Sequence, residues 1–221
     1  MDQNVKVILA GEGGQGVQLA GELLADAAYI AGLETVYIPN FGVEQRGGVS
    51  IAFVQVAKER IGAPKFAKAD ILVVLSPRSV ERTKGYLKPG TIYIYDSSSI
   101  QAPEISDKAV GIQGYDTVAP EAFGTMVGNH RGEPISPPQS SEIKFFAIPA
   151  AEIAKTEFTP RVFNIIVLGL VVECIGIIPM NKVKESLERK LGSKFLENPS
   201  LRELNFRALQ KGTEYSKTSV H

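Results

Sequence analysis

The sequence holds one cysteine, two histidines and no tryptophan in 221 residues. A single thiol, Cys174, forms no internal disulfide and falls short of the four thiolates of an iron–sulfur cluster or a structural zinc site. No sulfur-ligated metal centre is expected in this chain by itself. His130 has no second ligand in view, so no metal site is expected there either. Charge of one sign is also missing: 24 Lys+Arg against 24 Asp+Glu leave a net charge of zero. Such a balance gives no field of the kind that holds nucleic acid or an anionic membrane. The amino terminus lacks the basic region and small-residue cleavage site of a secretory signal, and a cytoplasmic protein is expected. The longest apolar run, Val162 to Ile178, is short for a membrane span and is broken by Asn164, Gly169, Glu173 and Gly176. It reads as a buried core or interface helix. Internal repeats and low-complexity segments are absent.

What remains is ordinary globular composition, 44% hydrophobic and 22% charged with 21 glycines and 13 prolines, in a length that suits one α/β domain. Val5–Ala10 (VKVILA) is an apolar run ended by glycines, the pattern of a strand buried on both faces. Val17–Ala31 carries Leu19, Leu23, Ala27 and Ile30 at helical spacing and stops at Gly32. Strands follow at Thr35–Ile38 and Ser50–Val56. Their connection has about nine residues, whereas a parallel crossover takes a dozen or more, so the third strand is expected to run antiparallel to the second. Asp70–Leu75 reads as another buried strand, leading through Ser76 and Pro77 into a helix that reaches Tyr86. Further strands are expected at Thr91–Tyr95, Val110–Gly114 and Phe145–Ile148. Residues 117–142 hold four prolines without periodicity and read as a long excursion. From Pro149 the pattern is helical: Ala150–Lys155, Pro160–Ile177, Asn181–Leu191 and Pro199–Lys211. The expected fold is a single α/β domain over residues 1–212, with a mixed, mostly parallel sheet flanked by helices and a helical carboxyl-terminal part. A flexible tail is expected over 213–221.

Two glycine-rich loops carry what chemistry the sequence suggests. Gly11-Glu12-Gly13-Gly14-Gln15-Gly16 fits G-x-G-x-x-G between a strand and a helix, where glycines let backbone N–H groups approach a phosphate at the positive end of a helix dipole. The dinucleotide fingerprint also asks for an acid at the end of the second strand, and Pro39 and Asn40 stand there instead. Three readings stay open: a stand-alone NAD(P)-dependent oxidoreductase, glycines that serve only a tight turn, and a site for a phosphate or another polar group of a partner's ligand. The second loop, Asn40 to Gly48, spends three glycines and sets Glu44, Gln45 and Arg46 in a row. Arg46 is suited to clamp a phosphate or carboxylate, or to pair internally with Glu44 or Glu12. Both loops are expected at one edge of the sheet. Asp96 and its three following serines read as turn formers, Asn164 as a partner of neighbouring backbone or of another subunit, and Cys174 as a small inert hydrophobe.

The first loop, the segment Phe41-Gly-Val-Glu-Gln-Arg-Gly-Gly48, Ile61-Gly-Ala-Pro64 leading into Ala69-Asp-Ile-Leu, and Asn164 with Leu168-Gly169 and the later Asn205 and Ala208-Leu209 together resemble the gamma subunit or gamma domain of the 2-oxoacid:ferredoxin oxidoreductases. The resemblance covers about 190 residues; residues 117–142 look longer than the usual member. It implies one subunit of an oxidoreductase that decarboxylates a 2-oxoacid on thiamine diphosphate, passes electrons through iron–sulfur clusters to ferredoxin and forms an acyl-CoA. It further implies alpha, beta and delta-type partner subunits that hold the thiamine diphosphate and the clusters. The chain has no Gly-Asp-Gly diphosphate motif, and no cofactor is expected on it alone. Coenzyme A enters as substrate, and the resemblance places Gly13, Gly14, Gln15, Gly16 and Arg46 near it, with no catalytic residue in this chain. A purely architectural subunit is the remaining reading.

Overall fold

The VKVILA run becomes an inner strand of a six-stranded sheet in the computed structural model, which describes residues 4–40, 48–100 and 143–217. The strands are β1 (Asn4–Glu12), β2 (Glu34–Asn40), β3 (Val49–Ala57), β4 (Ile71–Val74), β5 (Ile92–Asp96) and β6 (Lys144–Ile148), in the order β2-β3-β1-β4-β5-β6. From β1 through β6 the pairing is parallel, while β3 runs antiparallel to both β1 and β2. The short β2–β3 connection thus has the consequence drawn from its length, and the sheet is mixed and mostly parallel as expected. The expected strand Val110–Gly114, the 117–142 excursion and His130 lie outside the described residues.

Among the described residues the helices are α1 (Val17–Ile30), α2 (Pro77–Thr83), α3 (Ala150–Glu157), α4 (Phe163–Ile175), α5 (Met180–Glu197) and α6 (Pro199–Glu214). Period-two alternation divides the strands other than β2 between two cores. Val7, Leu9, Val54, Val73 and Ile94 pack beneath α1, α4, α5 and α6, and Ile8, Ala10, Leu72, Val74, Tyr93 and Tyr95 form the core of the other face. Ile8 and Leu9 are fully buried, which stabilises the fold by roughly 1.5–3 kcal/mol for each. The apolar run in α4 needs no lipid to explain it, since its residues from Phe163 to Val172 are all buried under the flanking helices. No helix among the described residues is long and apolar enough to cross a membrane.

α1 ends as its glycine suggests: Gly32 adopts φ 77°, and Leu33 N–H donates to Ala28 O at 3.0 Å. At the other end of the chain the structure moves a boundary. α6 runs through Gly212 to Glu214 and continues as a 3₁₀ turn over Tyr215–Lys217, where the flexible tail was expected to begin. The reason is tertiary: Gly212 is buried against Ile166 and Gly169 of α4, so the last turn of α6 is held by packing. Ion pairs brace the outside of this layer, Glu22–Lys190 and Asp26–Arg189 between α1 and α5, and Glu188–Arg202 between α5 and α6.

Asp96, at the carboxyl end of β5, is 1% exposed and has a structural task. Its Oδ1 accepts from Ser98 N–H at 3.2 Å and from Ala151 N–H at 3.4 Å, and its Oδ2 accepts from Ser99 Oγ at 3.0 Å. Pro149 precedes α3 and offers no capping side chain, so Asp96 supplies from a distance the carboxylate that the helix start favours. Asp96→Ala leaves these donors without an acceptor and is expected to destabilise the chain by about 2 kcal/mol, with Asp96→Asn costing less because one oxygen remains. Urea unfolding of the two variants checks the order.

Cys174 sits in α4 against the core, and burial pushes its thiol up to about 11, with the Lys144 charge lowering it in part and Glu173 raising it. The thiolate is the reactive form, so at pH 8 the native thiol is expected to react slowly with a disulfide reagent and at an ordinary rate once unfolded. Because the folded value is raised, the native state holds its proton more tightly; the associated stability is complete below the unfolded value and is lost as pH rises towards 11. Rapid native labelling at pH 8 would contradict this burial.

Candidate functional site

The carboxyl ends of β1 and β2 emerge on one edge of the sheet, and pairing through β3 sets the stems of the second glycine loop near the first loop. Gly11 pairs with Ser50 and Glu12 with Val49, so the first loop begins beside the residues that end the second. Arg46, Glu44 and the rest of residues 41–47 lie outside the described residues. The stems of that loop are tied to α1: Gln18 Nε2 donates to Ser50 Oγ at 2.7 Å and to Ile51 O at 3.1 Å, while Tyr37 Oη donates to Gln18 Oε1 at 2.8 Å. Burial, and then the Glu22 carboxylate, raise the Tyr37 pKa above its usual value, which keeps that hydroxyl a donor. Gln18 was not singled out from the sequence, where a polar residue in the first turn of a helix carries no mark of its partners.

Within the first loop the glycines divide the work. A Cβ on Gly11 would stand 2.5 Å from Gln15 Oε1 and 2.9 Å from Val17, so this glycine lets the turn close on itself. Gly16 adopts φ 72°, and a Cβ there would stand 2.7 Å from Asn164 Nδ2. Asn164 in α4 is 5% exposed and donates from Nδ2 to Gly16 O at 3.4 Å, the neighbouring-backbone role expected of it. Gln15 closes the loop: its Oε1 accepts from Glu12 N–H at 2.7 Å and its Nε2 donates to Leu75 O at 2.8 Å. Its amide is engaged with protein on both sides. Glu12 lies 4.0 Å from the Arg78 guanidinium.

Gly13 and Gly14 are left at the exposed tip of the turn, with nothing within 4 Å of a Cβ at either position. Directly behind them α1 begins without a capping side chain and without an acid in its first turn. The first N–H groups of a helix have no intrahelical acceptor, and the dipole makes that end partly positive. The tip and the helix start therefore form an open polar backbone surface that suits an anionic group. Gly13, Gly14, Gln15 and Gly16 are brought together here, with Asn164 as the support that the glycine pattern did not reveal.

The sheet order also bears on the nucleotide question. In a dinucleotide-binding α/β unit the second strand lies next to the first and ends in an acid. Here β3 intervenes between β1 and β2, and β2 ends in Pro39–Asn40.

Known proteins share the fold of this chain. Ketoisovalerate oxidoreductase subunit VorA of Methanothermobacter thermautotrophicus is 28% identical over 216 residues, a match that covers 98% of this chain and 37% of VorA. The chain thus spans little more than a third of that relative's length. Among solved structures, the 2-oxoglutarate:ferredoxin oxidoreductase from Magnetococcus marinus, with 2-oxoglutarate, coenzyme A and succinyl-CoA bound, aligns with a TM-score of 0.73 at 25% identity, over 99% of this chain and 32% of that one. The gamma subunit of the keto/oxoacid ferredoxin oxidoreductase from Geobacter sulfurreducens has the same fold, with a TM-score of 0.67 at 22% identity over 97% of this chain and 99% of that one. The family model for pyruvate ferredoxin/flavodoxin oxidoreductase matches residues 6–215, a span that runs from β1 through the glycine turn and its Asn164 support to the end of α6, and this chain belongs to that family.

Proposed function

We propose that this chain is the gamma component of a 2-oxoacid:ferredoxin oxidoreductase, in which a 2-oxoacid, coenzyme A and oxidised ferredoxin become an acyl-CoA, carbon dioxide and reduced ferredoxin. The observation that carries the reading is the exposed Gly13–Gly14 tip in front of an uncapped helix start, in a chain of this family. The phosphates of coenzyme A are the anions this surface takes. Backbone N–H groups near Gly13, Gly14 and Gly16 would meet them, Gln15 and Asn164 would hold the turn in shape, and Arg46 would add a cation from the second loop. Glu12 lies 4.0 Å from Arg78, whose positive charge offsets part of the repulsion Glu12 would offer the same phosphates.

The rest of the reaction belongs to partner subunits of alpha, beta and delta type. One cysteine cannot ligate a cluster, so the iron–sulfur centres fall to those subunits, as does thiamine diphosphate, which supplies the carbanion chemistry of decarboxylation. The contribution of this chain is to bind and orient the acyl acceptor and to exclude water from its path. A cytoplasmic setting goes with this reading.

Native mass spectrometry of the complex recovered from its source tests the assignment. Sister subunits that carry thiamine diphosphate and clusters are expected; a lone homo-oligomer would overturn it. Titration of the full chain with NADH and NADPH addresses the dinucleotide alternative, for which micromolar binding would speak. The intervening β3 is the structural reason to expect none.

A further inference from the structure

Ile61-Gly-Ala-Pro64 stands out in the sequence yet takes no part in the phosphate site. In the structure it leads into the wall of a groove on the sheet face opposite α1, where Phe53, Phe66 and Tyr86 pack on the second core. Both ends of this wall are tied down. Gln55 on β3 is 2% exposed, and its Nε2 donates to Ala63 O at 2.8 Å and to Pro64 O at 2.9 Å, while its Oε1 accepts from Asn4 Nδ2 at 3.3 Å. Further along, Ala69 N–H donates at 2.8 Å to the carbonyl oxygen of Tyr86, in the 3₁₀ turn Lys84–Tyr86. Between the wall and the end of β2 lies a cavity of about 350 Å³, its apolar lining made by Ile38, Pro39, Pro64 and the three rings. The Phe53 ring meets Phe66 edge-on at 5.7 Å and Tyr86 at 5.5 Å, so the rings brace one another. Pro39 and Pro64 are exposed, and the groove opens to solvent between them.

Charge on this face is mostly of one sign. Residues 58–88, which run from the end of β3 through the wall and α2, hold eight Lys/Arg and three Asp/Glu in a chain whose totals are equal. Two of the three acids pair within the stretch, Asp70 with Lys88 and Glu81 with Lys84, and the surplus stays positive. Lys65 lines the groove and is exposed, while Lys68 donates from Nζ to Gly85 O at 3.1 Å, next to Tyr86. We propose that the groove seats an acidic segment of a sister subunit, with a bulky apolar side chain in the cavity and carboxylates on the two lysines. The proposal rests on the reading of this chain as one component of a larger enzyme. Other occupants fit the face less well. A second copy that offered the same face would set like charges against each other. The chain's own residues 101–142 join β5 to β6, and those strands lie four and five places from β2, about 20 Å or more away. Ferredoxin takes electrons from clusters, which a chain with one cysteine does not hold. A wall already fixed by Gln55 and Tyr86 spares the partner the ordering cost of shaping its own seat.

Carbodiimide coupling of the assembled complex tests this, because the reagent joins an ammonium to a carboxylate only where the two touch. Peptide mass spectrometry is expected to find Lys65 or Lys68 joined to an Asp or Glu of a sister subunit, close in that subunit's sequence to a bulky apolar residue. Links from both lysines only to this chain, residues 101–142 included, or to a second copy overturn the proposal. So does a Lys65 that acetic anhydride modifies fully in the intact complex. Lys65→Glu supplies a second measurement. Lys65 is exposed, so the variant leaves the core alone. Its dissociation constant for the sister subunits is expected to rise at least tenfold, with a weaker dependence on salt than the parent shows. A constant and a salt dependence that both stay as in the parent overturn the docking site. The reading beneath it fails differently. If native mass spectrometry finds this chain as a lone homo-oligomer, the assignment to a multi-subunit enzyme falls. If sister subunits are present and both lysines stay unlinked to them, that assignment stands and the docking site alone falls.

Discussion

Gly212→Ala is expected to cost on the order of 3 kcal/mol or more, enough to leave much of the chain unfolded at moderate temperature. α4 and α6 cross at Gly169 and Gly212 with their backbones in contact. A Cβ on Gly212 would overlap the carbonyl oxygen of Ile166, and one on Gly169 would overlap that of Leu209. Backbone cannot swing aside as a flexible side chain can, so a methyl group at either position drives the helices apart along their length. α4 forms the centre of the helical layer, and Leu168, Leu170 and Val171 are fully buried. Separation therefore spreads the loss over several core contacts. Gly169→Ala is expected to behave alike, and the double variant should cost clearly less than the sum, because helices already parted by one methyl accommodate the second. Urea denaturation followed by circular dichroism measures all three. A Gly212→Ala chain within about 0.5 kcal/mol of the parent, the usual range for surface changes, would mean that the crossing is not as close as described.

This crossing also shows where a sequence stops being informative. The apolar runs that became β1 and β4 are legible because burial on both faces leaves few polar residues in them, and the direction of β3 is legible because a short loop cannot carry a parallel return. The glycine turn is legible as well, by its place between strand and helix. What holds the turn is not. Asn164 meets Gly16 from 148 positions away, and Gln15 reaches Leu75 across 60. A glutamine or asparagine looks the same in sequence whatever it bonds to. Likewise Gly169 and Gly212 lie in two separate helical patterns, and only their meeting explains why neither has a side chain. Gln55 sits at a position in β3 where the alternating pattern allows a polar residue, and nothing nearby announces that it secures Ala63 and Pro64. Pairings between distant elements decide these roles.

At the first turn the opposite separation of effects is expected: Gly13→Val should leave the fold intact and abolish use of coenzyme A. Nothing lies within 4 Å of a Cβ at Gly13, and its backbone is not among the positive-φ glycines, so a side chain can start there without a Cβ clash or left-handed strain. Stability of the full chain should stay within about 0.5 kcal/mol of the parent, as for an exposed substitution. Gly14→Val serves as contrast. With φ 95° it imposes backbone strain of about 1–3 kcal/mol and so mixes folding with function. In the assembled complex, valine at position 13 places two methyl groups over the polar backbone in front of α1 and keeps phosphate from its N–H groups. Turnover with coenzyme A is then expected to fall by two orders of magnitude or more, as a loss of about 3 kcal/mol of binding at the acceptor implies. The drop should appear in kcat/KM for coenzyme A with the subunits still assembled. An architectural subunit would respond otherwise, with normal turnover in whatever complex forms. A valine variant that folds, assembles and keeps the parent's kcat/KM would therefore remove the first loop from the acceptor site and leave this chain a scaffold for its neighbours.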